Sequence, residues 1–150
     1  MYVRDIMIRY VVTIGIDDSV KRCAKLLMEK KFSGLPVVEK SGTLVGIVTE
    51  GDLIKRVSHF ESLDVIELLG GVIELGDADQ FMEDVKQSQV ETVRGVMSAD
   101  VMVVHPNDTI EHTVTTMLQY HIKRLPVVDE QHKLLGIISR RDIMQHLYRR

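Results

Sequence analysis

Apolar residues recur along this chain with two alternating periods. Val20, Cys23, Ala24, Leu27 and Met28 fall at helical spacing behind Ser19, whose short side-chain oxygen suits it to accept from an otherwise orphan N–H at a helix start. Ile110, Thr113, Val114, Met117 and Leu118 repeat that stripe behind Thr109. A short β-rich run precedes each stripe, at 11–14 and 101–104, and two more follow, at 35–38 and 44–48 and at 125–128 and 134–138. Glu39-Lys40-Ser41-Gly42-Thr43 and Asp129-Glu130-Gln131-His132-Lys133 separate the paired runs, with the polar, turn-forming character of hairpin connections. A last short helix is expected over 51–57 and 141–147. The predicted order in each half is strand, helix, strand, strand, helix.

The order occurs twice because the chain repeats itself. Residues 3–57 align with 93–147 at an offset of 90 without a gap, and 13 of the 55 pairs are identical, among them Val3/Val93, Arg4/Arg94, Asp18/Asp108, Gly46/Gly136 and Asp52/Asp142. A unit this small is marginal alone, so the copies are expected to pack together and to leave a crevice between equivalent elements, a common place for a ligand. The organisation read from the repeat is 1–57, an insert over 58–92, and 93–150. The insert holds nine acids against Lys86, a net of −8, and the remainder carries +5. Its apolar residues, such as Ile66, Leu69 and Ile73, argue against a purely disordered linker. Phe81, Met82 and Val85 suit a helix leading into the second copy.

Composition narrows the class further. With 45% hydrophobic and 27% charged residues the chain is of ordinary globular type. A net charge of −3 excludes a generally basic nucleic-acid footprint, and the short basic C-terminus comes without a stacking platform or recognition motif. Cys23 stands alone, which excludes an internal disulfide, and the N-terminus lacks the basic-then-apolar pattern of a secretory signal. No run reaches the roughly 18 uncharged residues of a membrane span. The chain reads as cytoplasmic. Six histidines stand at no recognised ligand spacing, so no metal site is expected, and no nucleophile or P-loop motif supplies a catalytic carrier. Cys23 reads as a packed small hydrophobe, and Met28, Met117 and Met144 as core residues on helical stripes.

The third strand of each unit runs into GIVTEGD at 46–52 or GIISRRD at 136–142. Thr or Ser followed three residues later by Asp is a capping-box pattern. The same helix N-terminus presents N–H donors and a positive dipole end to an anion, and a carboxylate at its mouth can accept from a ribose diol. The two roles are compatible.

Two copies of a unit with LPVV at 35–38 and 125–128, followed by GIVTEGD or GIISRRD, resemble tandem CBS (cystathionine β-synthase) domains. The resemblance covers 110 of 150 residues. It implies an α/β (α+β) fold of two pseudo-symmetric β-α-β-β-α repeats packed through their sheets, an adenosine-containing ligand such as AMP, ADP, ATP or S-adenosylmethionine in the clefts between them, and a homodimer. Carried over by position, Asp52 and Asp142 would hold ribose hydroxyls, and Thr49 and Ser139 the ribose or α-phosphate. Ile47 and Ile137 would line the base or sugar. Gly34, Leu35 and Pro36, with Arg124, Leu125 and Pro126, match the adenine-contacting segment, and Thr13, Ile14, Val103 and Val104 the opposite wall. For the apolar positions, core packing explains the same pattern.

The copies depart from each other where charge matters. Glu50 stands where the second copy has Arg140, and Ile16 where it has Pro106. An acid beside a phosphate is unfavourable, whereas Lys123, Arg124, Arg140 and Arg141 surround the second motif, which is therefore expected to be the better anion site. The expected function is a non-catalytic ligand sensor that signals to a separate effector protein, the acidic insert being a natural contact surface. The alternatives are a structural homodimer without a nucleotide and, less supported, a nucleic-acid binder.

Overall fold

The computed structural model describes residues 1–58 and 91–149, with side chains of the first stretch described through Lys55. Residues 59–90 of the acidic insert, its expected helix near Phe81–Val85 included, lie outside the described residues. In chain order the elements are α1 (Val3–Ile6), β1 (Ile14–Gly15), α2 (Val20–Lys30), β2 (Gly34–Val38), β3 (Leu44–Thr49), α3 (Glu50–Ser58), a 3-10 turn (Val93–Gly95), α4 (Ile110–Gln119), β4 (Arg124–Val128), β5 (Leu134–Ser139) and α5 (Arg140–Tyr148). This is the mixed α/β order expected of two repeats. Ser19 and Thr109 cap α2 and α4, accepting from the N–H of Arg22 at 3.0 Å and of His112 at 3.1 Å.

The strands form a three-stranded sheet in the order β1-β2-β3 and a two-stranded antiparallel sheet of β4 and β5. The runs at 11–14 and 101–104 are less regular than expected. Only Ile14–Gly15 becomes a strand in the first, and in the second only Val104 makes a bridge, parallel to Val127. β-branched composition favours extended backbone, but a strand also needs a paired edge over several residues.

Two compact units emerge, and each draws on both sequence repeats. Among the described residues, one comprises 1–13, 38–45 and 100–149, the other 14–37, 46–58 and 91–99. In the first unit the head of repeat one lies on the body of repeat two. Val3 N–H donates to Asp108 O at 2.9 Å, Arg4 N–H to Pro106 O at 3.0 Å, and Ile8 exchanges both backbone bonds with Ile137. In the second unit the bonds recur 90 residues on, since Val93 N–H donates to Asp18 O at 2.8 Å, Arg94 N–H to Ile16 O at 3.1 Å, and Ser98 exchanges both with Ile47. Each exchange abuts a glycine. A β-carbon on Gly136 would stand 2.7 Å from Ile8 O, and one on Gly46 would stand 2.8 Å from Ser98 O. The Gly46/Gly136 identity thus reflects close backbone approach rather than turn chemistry.

The core of the first unit gathers Val3, Met7, Val104, Ile110, Met117, Leu125, Val127, Ile138 and Ile143. In the second, Ile14, Val20, Cys23, Leu27, Leu35, Val37, Val48 and Val93 are buried. The buried helix faces are narrower than the apolar stripes. Val20, Cys23 and Leu27 on α2 and Ile110, Thr113 and Met117 on α4 are buried, whereas Met28 is 72% exposed and Leu118 59%. Met144 is also exposed, so of the three methionines assigned to the core only Met117 lies in it. Residues three and four apart cover one side of a helix, and the flanking positions 28 and 118 turn outward.

Candidate functional site: two strand-to-helix corners

Each motif forms a corner where a strand passes into a helix. At the first, Asp52 Oδ2 accepts from Thr49 N–H at 2.9 Å and from Thr49 Oγ1 at 3.1 Å, while Thr49 Oγ1 accepts from Asp52 N–H at 3.2 Å. At the second, Asp142 Oδ2 accepts from Ser139 N–H at 3.2 Å and from Ser139 Oγ at 2.7 Å, and Ser139 Oγ accepts from Asp142 N–H at 3.1 Å. These are closed capping boxes that satisfy orphan donors at both helix starts. In both, every capping bond to the carboxylate falls on Oδ2. Asp52 and Asp142 are both half-buried, and Oδ1 of each takes no part in the capping bonds.

The start of the preceding strand completes each corner. Antiparallel register sets Arg124 directly opposite Ser139, and Arg140 N–H donates to Lys123 O at 3.0 Å. In the first repeat Glu50 N–H donates to Ser33 O at 2.9 Å, and a β-carbon on Gly34 would meet Val48 O at 3.1 Å and the Thr49 methyl at 3.3 Å. The corners therefore gather Gly34, Thr49 and Asp52 in one unit and Lys123, Arg124, Ser139 and Asp142 in the other. Lys123, Arg124 and Arg141 are exposed, next to the N-terminus of α5.

The remaining candidates divide by burial. Ile14, Leu35, Val104 and Leu125 are at most 2% exposed, and Pro36 and Pro126 are buried. Val104 N–H donates to Pro126 O at 3.0 Å, so these two brace the sheet. Thr13, Ile47, Val103 and Ile137 are half-buried, and the backbones of Ile47 and Ile137 hold Ser98 and Ile8. Sequence reasoning missed Ile8 and Ser98, although the repeated glycine before each isoleucine was a signal for an approaching backbone.

Arg140 is placed differently from its neighbours. Its Nε donates to Ile122 O at 3.0 Å and its Nη2 to Met117 O at 2.9 Å. Lysine, arginine and histidine side chains can bind the last carbonyls of a helix and complement its dipole.

Cys23, on α2, is fully buried. Burial, with the charges of Asp18 and Asp52 adding to it, pushes its thiol up from 9.0 to about 11, the direction opposite to that of a reactive cysteine. Among the described residues no cluster of three or more His, Cys, Asp or Glu could hold a metal ion, and no helix is long and apolar enough to cross a membrane.

The model of the CBS domain matches residues 3–59 and 93–149. An uncharacterized protein of Methanocaldococcus jannaschii is 38% identical over 157 residues, covering 98% of this chain and 91% of its own length. The homoserine O-acetyltransferase of Methanococcoides burtonii is 33% identical over 141 residues, but the match spans 94% of this chain and only 23% of that enzyme. Among solved structures, CBSX2 in complex with AMP has a TM-score of 0.74 at 25% identity, covering 99% of this chain and 96% of that one.

Proposed function

The chain belongs to the CBS domain family, and from that premise we propose that it is a non-catalytic sensor that binds an adenosine-containing nucleotide at the Thr49–Asp52 and Ser139–Asp142 corners and passes its occupancy to a partner protein. The observation that carries this reading is the division of labour within each carboxylate. Oδ2 of Asp52 and of Asp142 takes all the capping bonds, which leaves the Oδ1 edge to accept from a ribose diol without opening the helix cap. The complex of CBSX2 with AMP supports the ligand class. Lys123 and Arg124 at the second corner, against Ser33 and Gly34 at the first, favour the second for the phosphate.

Isothermal titration with AMP, ATP and S-adenosylmethionine, on the wild type and on Asp52→Ala and Asp142→Ala, tests this. Each substitution should abolish one site. If the carboxylates only cap, the variants will lose about 1 kcal/mol of stability and keep their binding. A well-folded wild type that takes up none of the three compounds would refute the sensor and leave a structural role.

A homodimer accompanies this reading. Met28 and Leu118, and likewise Ile54 and Met144, are exposed apolar pairs related by the 90-residue repeat. A surface duplicated in this way suits a self-complementary contact with a second copy. Light scattering should give twice the 17.1 kDa chain mass, and Leu118→Lys with Met144→Lys should return the monomer.

A further inference from the structure

The turn leading into each corner is built the same way in both repeats, up to one side chain. After α2, Lys31 adopts a left-handed conformation with φ 56°, and Phe32 N–H donates to Leu27 O at 3.1 Å. After α4, His121 has φ 55°, and Ile122 N–H donates to Met117 O at 2.9 Å. The first residue of the following helix then closes the turn through its backbone, Glu50 on Ser33 O and Arg140 on Lys123 O. Here the correspondence stops. The Arg140 guanidinium reaches back to Met117 O and Ile122 O, so three carbonyls of the 117–123 stretch are held by one residue. Glu50 has a carboxyl group in place of the guanidinium and, when ionised, no side-chain donor at all, so it cannot make the equivalent bonds. Its charge is also of the sign that a helix C-terminus disfavours.

We infer that Arg140 is a positioning residue rather than a phosphate ligand: it clasps the turn after α4 so that Lys123 and Arg124 stand preformed beside Ser139 and Asp142. The inference rests on the nucleotide-binding reading and adds to it the source of phosphate selectivity. Preorganised donors bind a phosphate without the ordering loss that a loose turn incurs. The first corner, with Ser33, Gly34 and Glu50 in the equivalent places, has neither the cations nor the clasp. Discrimination between a nucleoside and its 5′-phosphate is therefore lodged in the second repeat.

The test combines amide hydrogen exchange on the ligand-free protein with titrations of AMP and adenosine, for the wild type, Arg140→Met, Arg140→Lys and Glu50→Arg. In Arg140→Met, exchange at Ile122 should rise about tenfold as the turn opens locally. AMP affinity should fall about five- to tenfold, with adenosine changing less than about twofold. Arg140→Lys, which keeps one donor group, should recover part of both effects, and Glu50→Arg should slow exchange at Phe32. Weakened AMP binding with unchanged exchange would overturn the inference in favour of direct phosphate contact. Faster exchange with an unchanged AMP-to-adenosine ratio would overturn it in favour of a purely structural cap. If the wild type bound neither compound, the nucleotide reading itself would fall, and the exchange data would still decide whether the clasp exists.

Discussion

Replacing Gly136 with alanine should sever the head of repeat one from the body on which it lies. The added β-carbon would stand 2.7 Å from Ile8 O, 3.2 Å from Met7 Sδ and 3.4 Å from the Ile8 carbonyl carbon. The first distance is shorter than any tolerated contact and involves backbone, so the segment must move. Movement breaks the Ile8 N–H bond to Ile137 O at 2.8 Å and the Ile137 N–H bond to Ile8 O at 2.9 Å, about 1 kcal/mol each. Displacing the Met7 side chain, 8% exposed, adds an overpacking term of about 1–3 kcal/mol. The lower chain entropy of alanine when unfolded offsets roughly 0.4–1 kcal/mol. The net loss is about 2–5 kcal/mol, read from the shift of the urea transition by circular dichroism. Gly51→Ala is the internal control: its β-carbon meets only Thr49 Oγ1, at 3.5 Å, so it should stabilise α3 by up to about 1 kcal/mol. A chain lacking residues 1–8 loses all three of these atoms, and there Gly136→Ala should cost far less. An undiminished effect in the truncated chain, or none in the full one, would refute the exchanged-head arrangement.

Two further expectations concern stability. The Cys23 thiol, raised from 9.0 to about 11, stays protonated in the folded state after the unfolded chain has begun to ionise. Its contribution is complete below pH 9 and is lost as pH climbs towards 11, by up to about 3 kcal/mol. The stability difference between wild type and Cys23→Ala should fall across that window, and a pH-independent difference would remove the burial argument. His132 adopts φ 64° in the second hairpin, where the first uses Gly42 at φ 89°. His132→Gly relieves roughly 1–2 kcal/mol of left-handed strain against a glycine entropy cost of roughly 0.5–1 kcal/mol, so it should stabilise by roughly 0.5–1 kcal/mol, seen as a higher urea midpoint; a lower midpoint would show that the imidazole contributes more than the backbone strain removes.

Much of the architecture was legible because the forces that write it act over a few residues. Ser19 and Thr109 announced α2 and α4, the motifs announced α3 and α5, and Asp129 organises its hairpin through bonds to the N–H groups of Gln131 and Lys133, both at 2.9 Å. The Thr49–Asp52 and Ser139–Asp142 corners belong to the same class, since their bonds span three residues. Less legible were the features that depend on what a segment meets far along the chain. The β-rich residues 11–13 and 101–103 found no extended edge, and Met28 and Met144 sit at the margin of stripes whose buried width depends on the neighbouring element. Arg140 had an anion-binding look in the sequence, yet its nearest acceptors proved to be carbonyls 18 and 23 residues earlier.

The exchange of heads shows where the boundary lies. Val3, Arg4 and Met7 are identical to Val93, Arg94 and Met97, and Asp108 and Gly136, which receive the first set, are identical to Asp18 and Gly46, which receive the second. At these shared positions either head offers the same side chains to either body, so amphipathic pattern and capping chemistry specify the elements and both corners without specifying which head docks where. That choice falls to the path of the backbone and the packing it permits. The chain docks residues 1–8 on the body formed by 100–149 and 91–98 on the body that starts at Ile14.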